Sequence, residues 1–422
     1  VQAQTFCPQT MTLFSIYSIL VVIAALFAYI NSRFIKLPPT IGLMLLALLS
    51  SIAVLGIGFV SPVVVEEVTT ILRYIDFSEM LMGSMLSFML FAAAIHIKLG
   101  TLKEEKLSVI VFSTFSVVIS TFLIGTAIYY LLGMLNLQTS FVYCLLFGSL
   151  ISPTDPIAVL GILKKANISR SLEMKIAGES LFNDGVAVVV FLTLLEVAQT
   201  PNNMQVGDVV LLFLREAVGG IVLGVAIGYG GILLMRSINN YKVEVLITLA
   251  VVMGGYTTAH YLHISGPLAM VAAGIIIGNQ GKAHAMSDIT AEYVDKFWEM
   301  LDETLNAILF VLIGLELLVI QFLPTYVVVG LVSILLVLVA RYVSVFIPAQ
   351  FIKLKEKLSH RTIIIMTWGG LRGGISIALA LSLKPEMQKE LWVTLTYMIV
   401  AFSILVQGLT VGRVAKRITI KE

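Results

Sequence analysis

Three stretches of this chain set ionisable side chains in apolar surroundings. The first, SLISPTDPIAVLG (Ser149 to Gly161), puts Asp155 beside Thr154 and between Pro153 and Pro156. The second, AGESLFNDGVAVVVF, carries Glu179, Ser180, Asn183 and Asp184. On a helix, Ser180 shares a face with Asn183 and Asp184, three and four residues on, and Glu179 lies beside that face. The third, TWGGLRGGISIALALSL, holds Arg372 among four glycines.

Each stretch suggests a chemistry. Prolines withhold backbone donors and break a helix, which frees carbonyl oxygens. Irregular backbone at membrane depth is tolerated only where it lines a cavity or is buried in protein. Freed carbonyls, the Thr154 hydroxyl and the Asp155 carboxylate are hard oxygen ligands suited to a small cation. Asp155 also fits a helix N-cap with Pro156 at the first helical position, and the two roles are compatible. A buried charge in a membrane costs at least about 2.5–3.5 kcal/mol, so each must be paired or must bind something. Arg372 therefore needs a partner. Glu179 is the cheapest candidate, because that pairing leaves Asp155 and Asp184 for an ion. Two carboxylates in one partly dry cavity can trade a proton for a cation, since desolvation and mutual repulsion penalise the doubly charged form. Arg341, Glu316 and Arg215 are as readily interfacial, and nothing singles out His96, His260 or His263.

The elements that must hold these residues are membrane helices. Of the 422 residues, 59% are hydrophobic and 12% are charged, and the mean hydropathy is +1.00. Ordinary soluble domains are about 25% charged. The chain reads as an all-α polytopic membrane protein of about thirteen transmembrane helices, near 12–30, 39–60, 79–97, 107–132, 140–163, 172–199, 208–235, 243–262, 265–279, 299–320, 323–351, 360–383 and 392–412. Of the 27 Lys and Arg, only Arg73, Lys384 and Lys389 fall in loops on the N-terminal side of the membrane, and Arg215, Arg341 and Arg372 lie within spans. By the positive-inside rule the N-terminus is outside and the C-terminus cytosolic. The whole of 1–422 reads as a single transporter domain. Two six-span halves, about 12–199 and 243–412, flank a linking span at 208–235 and lie in opposite orientations. This inverted-repeat plan makes spans 5 and 12, each interrupted and each carrying one buried charge, counterparts at a substrate site. Cys7 and Cys144 suggest no disulfide framework or metal site, and no P-loop pattern occurs.

At these residues the sequence resembles the NhaP-type sodium/proton antiporters of the monovalent cation:proton antiporter superfamily. The matching motifs are SPTDPIAV, GESLFNDGVAVVVF, SGPLAMVAAGIIIGN, LNAILFVLIGLEL and TWGGLRGGISIALALSL, which together span most of the chain. The resemblance implies a homodimer with crossed, unwound helices at the ion site. It implies Asp184 as the cation-binding and proton-binding residue, completed by Asp155, Thr154 and Ser180, with Asn183 as a tuning neighbour. It implies a structural ion pair between Glu179 and Arg372. Asn before this Asp implies electroneutral exchange. One departure stands out. Ala92, in LFAAAIHIKL, occupies a place where many members carry an acid, so potassium is an alternative to sodium or lithium.

The sequence thus leads to a secondary antiporter for pH and salt homeostasis, not an enzyme, with no cofactor beyond the transported ions. Its expected setting is a prokaryotic plasma membrane, its partners are cations, protons and lipid, and nucleic acid is not among them. A cation channel could line its pore with the same acids, but no repeated filter loop is evident. A membrane sensor on a transporter fold would need a signalling domain, which these residues do not contain.

Overall fold

The computed structural model describes residues 13–73, 76–155, 159–161, 163, 170–200, 206–320, 322–351 and 359–419. Those residues form helices and connecting turns, with one isolated antiparallel bridge, Asp155 to Leu371. In chain order the helices are α1 (Leu13–Ile30), α2 (Pro39–Gly58), α3 (Pro62–Arg73) and α4 (Phe77–Ile95, with a π turn at Leu81–Met85). Next come α5 (Leu99–Met134), α6 (Phe141–Ile151), α7 (Arg170–Gln199), α8 (Val206–Met235), α9 (Tyr241–Tyr261) and α10 (Gly266–Ile276). The rest are α11 (Asp288–Glu316), α12 (Pro324–Phe351), α13 (His360–Trp368), α14 (Gly374–Leu381), α15 (Lys389–Phe402) and α16 (Gly408–Thr419).

Among the described residues nine helical stretches are long and apolar enough to cross a bilayer. Their outward faces carry bare apolar side chains: Leu211 and Leu233 on α8 are 68% and 69% exposed, which suits hydrocarbon rather than water. This is a multi-pass membrane protein.

Polar residues start several helices by accepting orphan N–H groups. Ser265 accepts from Leu268, Ser287 from Thr290 and Ser359 from Thr362. The Ser287 cap explains why α11 begins well before the expected limit near 299, since its first turns are amphipathic rather than apolar. Helix α3 was expected as loop. Its apolar residues fall on one face of VVVEEVTTILR, a pattern too short and too charged to read as a span.

Around the site, α5 packs along α6 and α7 and against α12, which in turn packs on α15. Phe147 of α6 stacks on Trp392 of α15 with ring centroids 5.2 Å apart. On the other side, α11 lies against α2 with almost no side-chain spacer. A Cβ on Gly314 would come within 3.0 Å of the Ala47 and Leu48 backbone, and Ser51 donates to the Gly314 carbonyl at 2.9 Å.

Both interrupted spans are broken where the sequence places prolines and glycines. Helix α6 stops at Ile151, and Ser152–Asp155 are not helical. Pro156 lies outside the described residues. Helix α13 stops at Trp368, and α14 restarts at Gly374. The breaks meet: the Asp155 N–H donates to the Leu371 carbonyl at 2.7 Å.

Candidate cation site

Helix α7 presents its polar face to the α6 break. Asn183 grips Thr154 at two points. Its Nδ2 donates to Thr154 Oγ1 at 2.8 Å, and its Oδ1 accepts from the Thr154 N–H at 3.3 Å. The Ser180 hydroxyl donates to the Thr154 carbonyl. The unwound residue is thus held by α7 through its N–H, its C=O and its hydroxyl. The sequence alone gives the polar cluster but not this clamp.

Asp155 and Asp184 are half-buried and close enough to interact by charge. Among the described residues no hydrogen bond or ion pair reaches the Asp184 carboxylate. A carboxylate so placed needs a proton or a cation. At the α6 break, Thr154, Asp155, Glu179, Ser180, Arg341 and Gly369 contribute to the wall of a cavity of about 10 Å³. That is room for one water or one small ion.

The expected pair of Glu179 with Arg372 is not formed. Glu179 instead meets Arg341 of α12, Nη1 to Oε1 at 2.6 Å, with the two side chains 2% and 6% exposed. Arg341 is therefore buried, not interfacial. Its charge is matched by distance more than by alignment, because Glu179 Oε1 and Arg341 Nε have no aligned hydrogen-bond partner among the described residues.

Arg372 has a different task. Its Nη1 donates to the carbonyls of Ser152 at 2.6 Å and Pro153 at 3.0 Å. A proline at 156 has no N–H to offer the carbonyl four residues back, at Ser152. The guanidinium takes that vacant acceptor and sets a positive charge at the C-terminal end of α6, where the helix dipole is negative. Its own backbone N–H is fixed by Ser403, which donates on to Gln407. The carbonyls freed by the break are therefore largely engaged by Arg372 and Ser180.

Ala92 is buried on α4, so that point of the fold carries no acid. His96 lies 3.4 Å from Asp295 at the end of the same helix, away from the crossing.

The comparisons fit this geometry. Residues 21–417 match the family described as sodium/hydrogen exchanger, transmembrane. The chain belongs to the sodium/hydrogen exchanger family. It is 48% identical over 403 residues to the Na(+)/H(+) antiporter NhaP of Pseudomonas aeruginosa, covering 94% of this chain and 95% of that one. It is 34% identical over 400 residues to the Na(+)/H(+) antiporter NhaH of Halobacillus aidingensis, covering 92% and 93%. The solved structure of the sodium proton antiporter MjNhaP1 from Methanocaldococcus jannaschii superposes with a TM-score of 0.77 at 20% identity, covering 96% of this chain and 99% of that one. At that identity the likeness speaks for the fold.

For this family member the crossing makes one sharp steric demand. A Cβ at Gly373 would lie 2.8 Å from Asp155 Cβ and 3.1 Å from its Oδ2. The backbone there has φ −110°, which alanine adopts freely, so the conflict is purely one of space. We expect Gly373→Ala to displace the Asp155 carboxylate and raise the half-saturating cation concentration about tenfold, on the order of 1.4 kcal/mol. Cation titration of exchange in proteoliposomes checks it, and an unchanged half-saturation would mean that Asp155 is not a ligand.

Proposed function

We propose that this chain is a secondary monovalent cation/proton antiporter exchanging sodium or lithium for protons, one for one. The carrying observation is the Asp184 carboxylate, without a hydrogen-bond partner among the described residues and within charge-interaction range of Asp155 at the crossed breaks. Relatives named Na(+)/H(+) antiporters, aligned over nearly the whole chain, support the reading.

In this mechanism Asp184 alternates between a proton and a cation. Asp155, Thr154 and Ser180 complete the oxygen shell, and Asn183 holds Thr154 in place. Asn183 cannot titrate, so of the adjacent Asn183–Asp184 pair only Asp184 can exchange a proton, and the charge of Glu179 is matched by Arg341. That favours electroneutral exchange. The breaks make the cation compete with the proton at a site open to one side at a time, and no covalent chemistry is needed. We further propose thirteen spans in two inverted repeats (12–199 and 243–412, joined by 208–235), a homodimer, and a prokaryotic plasma membrane with the N-terminus outside and the C-terminus cytosolic. Potassium is the alternative cation, in view of Ala92.

Proteoliposomes with a pH-sensitive dye and a clamped membrane potential test this. Sodium or lithium should evoke proton movement that does not change with the clamp. Movement evoked by potassium alone would reassign the cation. Cation flux without proton movement would replace the antiporter by a channel.

A further inference from the structure

The exchange reading accounts for the crossing but not for Asp302, a half-buried carboxylate just before the apolar run of α11. Helical spacing puts Asp295, Trp298, Asp302, Asn306 and Leu309 on one stripe of that helix. The two ends of the stripe are anchored. At one end Asp295 accepts from Lys282 and lies 3.4 Å from His96, on the side the basic loops assign to the cytosol. At the other end a Cβ on Gly374 would touch Leu309 Cδ2 at 2.8 Å, and the next residue back, Gly373, abuts Asp155. Asp302 is seven residues from either anchor, about 10 Å along the axis each way. It interacts by charge with both His96 and Asp155, one toward each end.

A second observation points to a ligand here. Asn306 is 3% exposed. Its Nδ2 donates to the Asp302 carboxylate at 3.0 Å and to the Asp302 carbonyl at 2.9 Å. Its Oδ1 is buried with no partner among the described residues. Both ends of one amide hang from the same carbon, so the orphaned oxygen lies beside the carboxylate. Flipping the amide would turn Oδ1 onto two acceptors, so the orientation is fixed by its neighbours. A carboxylate next to an unsatisfied amide oxygen is a pair of hard ligands for a small cation.

We propose that Asp302 and Asn306 form a way-station for the transported monovalent cation, between the polar cluster of His96, Lys282 and Asp295 and the crossing at Asp155. The station rests on the exchange reading. It concentrates cations on the approach, and its loss weakens capture, not turnover.

The experiment is a sodium titration of dye-reported exchange in proteoliposomes. Asp302→Asn should raise half-saturating sodium about tenfold, within the range expected for loss of electrostatic capture. Asp302→Glu should restore it to within about threefold of wild type, and Asn306→Ala should raise it in the same direction. Glu303→Gln, on the exposed neighbouring face, should leave it unchanged. Two outcomes overturn the way-station: a fall in maximal rate at unchanged half-saturation, or an Asp302→Glu variant as impaired as Asp302→Asn. If Asp302→Asn does not yield monodisperse protein, Asn306→Ala decides by the same criterion. Absence of proton movement evoked by sodium, lithium or potassium in wild type would instead sink the exchange reading, a result these variants do not mimic.

Discussion

Asp184→Asn should fold, reconstitute and leave no proton movement in response to any alkali cation. The expected loss is at least about 100-fold, to the background of empty vesicles, because in the proposed mechanism one carboxylate carries both the proton and the cation. Folding should survive because the carboxylate has no partner to lose among the described residues. The amide is nearly isosteric and removes an uncompensated charge, so stability should change by no more than about 1 kcal/mol. The measurement is cation-evoked dye response in matched proteoliposomes, with thermal unfolding of the same preparations. Sodium-evoked exchange near the wild-type rate would move the switch to another group, Asp155 first.

The second large effect concerns stability. Arg341→Met leaves Glu179 as a buried, unpaired charge, at a cost of about 3–5 kcal/mol. Pairing Arg341→Met with Glu179→Gln removes both charges and should recover most of that loss. Arg372→Met is different. It orphans the carbonyls of Ser152 and Pro153, and Glu179→Gln should not rescue it. Thermal unfolding in detergent separates the cases. Rescue of Arg372→Met by Glu179→Gln would restore the pairing that the sequence suggests, against the 2.6 Å contact of Glu179 with Arg341.

That contact marks the limit of what the chain reveals unaided. The membrane helices were legible because hydrocarbon imposes one requirement on every residue that faces it. The breaks at Pro153 and among Gly369, Gly370, Gly373 and Gly374 were legible because those residues withdraw donors or permit close approach whatever lies around them. The choice between Arg341 and Arg372 was not. Each is one arginine in an apolar run, and which one reaches Glu179 depends on how α7 and α12 are rotated against each other. Similar reasons hid the π turn at Leu81–Met85, where a single extra residue leaves no mark on hydropathy. They also hid Asp302, which sits near the end of the expected span at 299–320. Its significance lies in Asn306 one turn on, and an i,i+4 search of every span for paired polar residues would have flagged it. Thr154, Ser180 and Asn183 stood out as polar groups in apolar sequence, but their mutual grip is a property of the packed helices.

The meeting of the two breaks also sets an order of assembly. Arg372 and the Ser152 carbonyl it satisfies are 220 residues apart in the chain. When the Asp155 segment enters the bilayer, the residues that will take its free N–H and carbonyl groups have not yet been synthesised. Until they arrive, that segment must keep water or borrow partners from its neighbours, since bare backbone polar groups are costly in hydrocarbon. Domains generally gain structure from the N-terminus as synthesis proceeds. Here the first half cannot complete its most polar region by itself. The candidate cation site is then among the last parts of the molecule to take its final shape, since the α6 break gains its partners only when Leu371 and Arg372 emerge.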